Sequence, residues 1–164
     1  MPTSSSGEAA VGEDTAGAGP RLPVVYRPRN VRIVAYGLAA LLIVTMTVLA
    51  VMLPPDWGLQ DRVGLVLMGL VFAAALHLLG RPRLIAAEDG VTVVNGIRTH
   101  VLEWAEIIDI AMREGEPWPS VDLSDGSTLA VMGIQSNDGA RAAADLESFK
   151  RLLEQRGEAQ EPGA

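Results

Sequence analysis

The chain has 164 residues, 49% of them hydrophobic but only 4% aromatic, and a formal net charge of −7. It contains no cysteine, which removes disulfides, thiolate nucleophiles and cysteine-ligated zinc together. Residues 84–164 carry fifteen Asp or Glu against six Lys or Arg, so this part lacks the basic surface that nucleic acid binding needs and repels anionic lipid headgroups.

Residues 1–20 are rich in Gly, Ala, Ser, Thr and acid, with no aromatic residue. Such a segment buries too little apolar surface to offset its ordering entropy. Residues 1–30 are therefore expected to be a disordered cytoplasmic tail. They do not read as a signal peptide, because a positive n-region is missing and the apolar run starts late. Two apolar segments follow and make residues 31–80 a membrane hairpin. Ile33 to Leu53 is uncharged, and as a helix it spans roughly 30 Å, the thickness of a hydrocarbon core. Val63 to Gly80 is near the lower length limit for a span. Buried soluble helices are the alternative, but a chain of this size has little protein with which to surround them. Arg21, Arg27, Arg29 and Arg32 precede the first span, Arg81 and Arg83 follow the second, and the connecting loop holds only Arg62. The positive-inside rule then puts both termini in the cytoplasm and makes this a multi-pass cell-membrane protein. Trp57 suits the outer interface and Tyr36 the inner one.

The texture changes at Leu84. Leu84–Ala87 leads into a Glu88-Asp89-Gly90 turn. Val91–Val94 and Ile97–Leu102 flank Asn95-Gly96, a two-residue hairpin signal whose central positions want positive φ. Ile107–Met112 follows as another strand. A second hairpin forms around Asp125-Gly126. The period then shifts. Ala142, Leu146, Phe149 and Leu153 recur on one helical face, Ser136-Asn137-Asp138 offers an N-cap and Gly157 a stop. Residues 157–164 read as a frayed tail. The helix covers the open end or face of a bent sheet.

The run Arg81 to Ile107, with Arg81-Pro82-Arg83, Asp89-Gly90 before Val91 and Val93, and Leu102-x-Trp104-x-Glu106-Ile107, resembles the bacterial pleckstrin-homology-like (PH-like) domain of small actinobacterial membrane proteins. The Pro117-Trp118 corner and the terminal helix add to the likeness. The resemblance implies a membrane helical hairpin plus a small β-rich domain at 81–156. That domain is a PH-like half-barrel of about six or seven antiparallel strands capped by a C-terminal helix. It also implies a non-enzymatic, membrane-tethered module, with no catalytic residues to carry over. An OB-like barrel is the alternative, and the terminal helix favours the PH-like one. Phosphoinositide-binding relatives use Lys and Arg in their first loops, whereas the first hairpin here offers only Arg98 and His100, which argues against specific phosphoinositide binding.

No catalytic, metal or cofactor constellation is legible. His77 reads as an interfacial side chain near the end of a span, although an ionisable group there is a functional suspect. Asp122 to Gly126 lacks the remaining ligands of a calcium loop. Gly37, Gly64 and Gly69 form no GxxxG, and Ala73–Ala75 is an equal candidate for the helix contact. Trp104, Leu102, Ile107 and Phe149 are the expected core. Trp118, between Pro117 and Pro119, is either a corner seal or an exposed partner anchor. Arg98 and His100 are the other candidate interaction residues. The expected function is an adaptor that binds a membrane protein, or itself, by a strand edge or groove at the inner leaflet. The alternatives are a lipid- or small-ligand-binding module, or an accessory subunit of a membrane complex.

Overall fold

A computed structural model describes residues 21–160. Two long helices open the fold, α1 (Arg29–Met52) and α2 (Leu59–Gly80). At 1.5 Å per residue they are about 36 and 33 Å long. Both are long and apolar enough to cross a membrane, and most of their surface is uncovered by protein. Both begin upstream of the apolar runs in the sequence. They pack through small residues. Ala35, Ala39 and Ala50 are buried on α1, and a Cβ on Gly69 of α2 would come within 3.1 Å of Met46. Gly37 and Gly64 face open space, and Ala74 and Ala75 are exposed, so the glycine at 69 makes the close approach. Arg62, expected in the connecting loop, lies in the first turn of α2, and its guanidinium donates to the Ala50 carbonyl at 2.6 Å and the Leu53 carbonyl at 2.7 Å, capping the end of α1.

Seven short strands form two antiparallel sheets. The first has the order β1 (Val24–Tyr26), β2 (Arg83–Ala86), β3 (Val91–Asn95), β4 (Arg98–Leu102), and the second the order β5 (Ile107–Ala111), β6 (Ser120–Leu123), β7 (Thr128–Ala130). A C-terminal helix, α3 (Ala140–Gln160), closes the stack. The arrangement is that of a PH-like fold. Phe149 of α3 is fully buried at its centre. The Trp104 ring stacks on Phe149 at 6.0 Å, and the Tyr26 ring meets it edge-on at 6.1 Å. Leu84, Val93, Ile110, Val121 and Ile134 complete the apolar layer.

Several expectations need correction. Residues 21–30 are not a structureless tail. Val24–Tyr26 pairs with Leu84–Ala86 and buries Tyr26, so the chain enters the sheet before it enters α1. The expected disorder of residues 1–20 lies outside the described residues. Asn95 is not a turn residue. It pairs with Arg98, leaving Gly96 (φ +55°) and Ile97 as the loop, a turn with glycine in the first central position. The Asn95 amide is free to bridge the sheets, donating to the Ala130 carbonyl and accepting from the Met132 N–H at 3.0 Å. The second hairpin is a three-residue loop, Ser124 to Gly126, closed by the Leu123 N–H on the Ser127 carbonyl. Between the two expected strands, Trp104–Glu106 forms a single 3₁₀ turn, and its Glu106 carboxylate accepts from the Glu103 N–H at 2.7 Å. Helix α3 runs through Gly157 to Gln160, because an interior glycine weakens a helix without ending it. Asp138 does not cap α3. It sits in a 3₁₀ turn, Ser136–Asp138, and serves α1 instead.

Candidate functional site

Hydrogen bonds join the start of the first long apolar helix to the domain. The two Asp138 carboxylate oxygens accept the Arg29 N–H at 2.7 Å and the Asn30 N–H at 2.9 Å. These are among the first N–H groups of α1, which have no partner inside their own helix. A residue more than a hundred positions away thus supplies the N-cap, and the negative charge suits the positive end of the helix dipole. The Asn30 side chain adds a bond to the Asn137 carbonyl at 2.8 Å.

Strand β5 is an edge strand of the second sheet. Among the described residues it pairs only with β6. Its register slips between Ile107 and Asp109, so the strand carries a bulge. A bulge adds one residue to one strand and re-aims its side chains. Ile107 and Ile110 turn into the core, whereas Ile108 is 65% exposed and Asp109 also points outward. Beside this edge lies a groove of about 460 Å³, closed on its other side by Lys150, Leu153 and Glu154 of α3. Its lining combines five apolar residues with two carboxylates and one ammonium. The Ile107-Ile108 doublet was the legible signal for it, since adjacent apolar residues break the two-residue period of a half-buried strand.

Of the residues singled out from the sequence, Trp104 and Ile107 line this groove and the others sit elsewhere. Trp104 is 6% exposed; its indole N–H donates to the Ala87 carbonyl at 3.0 Å, and the Arg156 guanidinium lies 6.0 Å over its ring. Leu102, Ile107 and Phe149 are buried in the same cluster. Trp118 is half-buried between exposed Pro117 and buried Pro119. Its neighbours' carbonyls are held by Ser136 and Val131 N–H groups, both at 2.9 Å. Arg98 is exposed on β4, the outer strand of the first sheet. His100 lies opposite buried Val93 and is half-exposed at the rim. None of Trp118, Arg98 and His100 lines the groove. His77 meets the Tyr36 hydroxyl through Nδ1 at 3.2 Å.

Three groups titrate away from their ordinary values. Burial pushes the Tyr26 phenol up, although its hydrogen bond with Ser148 opposes that. Burial also raises the Asp145 carboxyl, against the pull of Arg141. Hydrogen bonds from Ser127 hold Asp125 down, which makes it a turn-stabilising carboxylate. Among the described residues no group of three or more His, Asp or Glu could hold a metal ion.

Residues 81–151 match the bacterial PH domain family. Uncharacterized proteins of Mycobacterium tuberculosis and Mycobacterium bovis are 32% identical to the chain over 135 residues, covering 79% of it and 88% of their own length. No solved structure matches. The family match coincides with β2 through most of α3, and the relatives extend it across most of the chain, so this protein belongs to the bacterial PH domain family.

Proposed function

We propose that the chain is a non-catalytic, membrane-anchored binding module that takes an extended segment of a partner protein along the free edge of β5, beside α3. The carrying observation is the β5 bulge, which holds Ile108 out of the core at the mouth of a groove against α3. An unpaired strand edge offers backbone donors and acceptors to an added strand, and alternate side-chain pockets give specificity. Ile108 and Leu153 suit an apolar side chain, and Asp109 and Glu154 suit a basic one. The arginines at both ends of the helical hairpin favour a cytoplasmic domain. Tethering there raises its effective concentration toward other membrane proteins.

The test is a photoreactive residue at position 108 of the full-length chain in living cells. The expected result is a single protein adduct whose yield falls several-fold on Glu154→Lys while α3 stays folded. Adducts with lipid alone, with a second copy of the chain alone, or with a yield indifferent to Glu154→Lys overturn the reading.

A further inference from the structure

The chain is acidic, yet its arginines converge at one place. Arg27, Arg32, Arg81 and Arg83 line a single cavity of about 170 Å³ where α1 begins, α2 ends and β2 starts. Tyr36 and His77 complete its wall. An adjoining open hollow of about 530 Å³ shares Arg27, Arg32 and Tyr36 and adds Arg29 and Arg141. Among the described residues, no Asp or Glu lines either space. Among the described residues, Arg27, Arg29, Arg32, Arg81 and Arg83 form no ion pair within 4 Å. Two carboxylates that contact residues at these spaces are engaged elsewhere. Asp138 accepts the backbone N–H groups of Arg29 and Asn30, and Asp145 lies 3.8 Å from Arg141.

Two features separate this cluster from a simple topology signal. First, Nε of Arg32 and Nε of Arg83 are both buried without a hydrogen-bond partner. A buried charged donor left unmatched carries the full desolvation penalty, so such groups mark a missing acceptor. Membrane orientation requires positive charge on one side and does not require guanidinium groups to share a cavity. Second, the wall is built. The Arg32 guanidinium lies 5.9 Å from the Tyr36 ring centroid, the Tyr36 hydroxyl bonds His77, and a Cβ on Gly80 would approach the Tyr36 ring to 3.1 Å. The cavity opens at the ends of two helices that are long and apolar enough to span a bilayer, which is headgroup level.

We propose that this cavity binds the phosphate of an anionic phospholipid in the leaflet on the domain's side. The guanidinium fork matches phosphate oxygens in two parallel bonds, and basic pockets between membrane helices suit such headgroups. The site is independent of the β5 groove and lies outside the strand loops of the domain. It reconciles the acidic body with its membrane setting: the lipid is held at a basic collar while the body stands off the surface.

The test is native mass spectrometry of the full-length chain in detergent, titrated with phosphatidylglycerol. Phosphatidylcholine is the neutral arm and glycerol 3-phosphate the soluble arm. The proposal expects a phosphatidylglycerol adduct, no phosphatidylcholine adduct at the same concentration, and no displacement by equimolar glycerol 3-phosphate. Arg32→Gln and Arg83→Gln each weaken binding by about tenfold or more, the loss of one charge-assisted bond. Arg113→Gln removes an equal charge from an exposed site far along the chain and changes binding by less than about twofold, as expected for a solvated charge. Arg32→Lys keeps the charge but loses Nε and the fork; it also weakens binding, and it carries the test if the glutamine variant misfolds. Equal binding of phosphatidylcholine, equal damage from Arg113→Gln, or full affinity in Arg32→Lys overturns the site. Displacement by glycerol 3-phosphate overturns the lipid as its source.

Discussion

Asp138 ties the start of the first long apolar helix to the domain. Its carboxylate holds two N–H groups at the start of α1, at 2.7 and 2.9 Å, and the residue is half-buried. Replacing an N-cap aspartate by alanine costs about 0.5–2 kcal/mol, and the lost charge at the helix terminus falls within that range. Asp138→Ala should therefore weaken docking by about 1–2 kcal/mol, a roughly 5–30-fold shift toward an undocked arrangement. The native chain has no cysteine, so paired spin labels can be introduced cleanly at two exposed sites, Asp56→Cys between the helices and Ser124→Cys in the β6–β7 turn. Pulsed-EPR distances in lipid nanodiscs should be narrow in the parent chain and broad or bimodal in Asp138→Ala. Asp138→Asn keeps one acceptor oxygen and should fall between them. A distribution in Asp138→Ala as narrow as the parent's, with β1 and α3 intact, would refute the idea that this carboxylate fastens the domain.

Trp104→Ala removes the ring that stacks on Phe149 and should cost about 3–5 kcal/mol, enough to unfold a domain of ordinary stability. Trp104→Phe keeps the stack but leaves the Ala87 carbonyl without its indole donor, a loss of about 1–3 kcal/mol. Amide hydrogen exchange of β3 in the full chain should rank parent, Phe and Ala in that order of protection, and equal protection in Phe and Ala would mean that the stacked ring contributes little. Burial raises the Asp145 carboxyl above its ordinary 3.8, so the folded state holds this proton more tightly than the unfolded chain. Its charge then opposes folding at neutral pH, and the opposition is relieved as pH falls through the raised value. Asp145→Asn should melt above the parent at pH 7, with the gap closing on acidification; a gap that widens toward low pH would contradict the sign.

Much of the fold was legible because its causes are local. The two apolar runs, the glycines at the hairpins and the helical spacing of Ala142, Leu146, Phe149 and Leu153 act over a few residues, where period and turn chemistry can be read directly. Leu152, buried in the structure, escaped that pattern because the apolar face of α3 is wider than one stripe. The second hairpin around Gly126 was visible for the same local reason. The first was visible as a turn but one residue out of register, because the strand pairing at Asn95 and not the dipeptide chose the loop.

The candidate sites were less accessible. Val24–Tyr26 is too short to show a period, and only Leu84–Ala86 across the sheet makes it a strand. Asp138 reads as a cap for the helix that follows it, and nothing nearby says that it caps a helix starting at Arg29. The arginines read as orientation signals, four before the first span and two after the second; their convergence on one cavity depends on where α1, α2 and β2 meet. Sequence alone thus determined the two apolar helices, the terminal helix and most strands and turns, because those choices are made by neighbours. Tertiary structure alone decided which polar groups face one another, because a charge or carboxylate takes its partner from whatever the packed elements bring within about 3–4 Å.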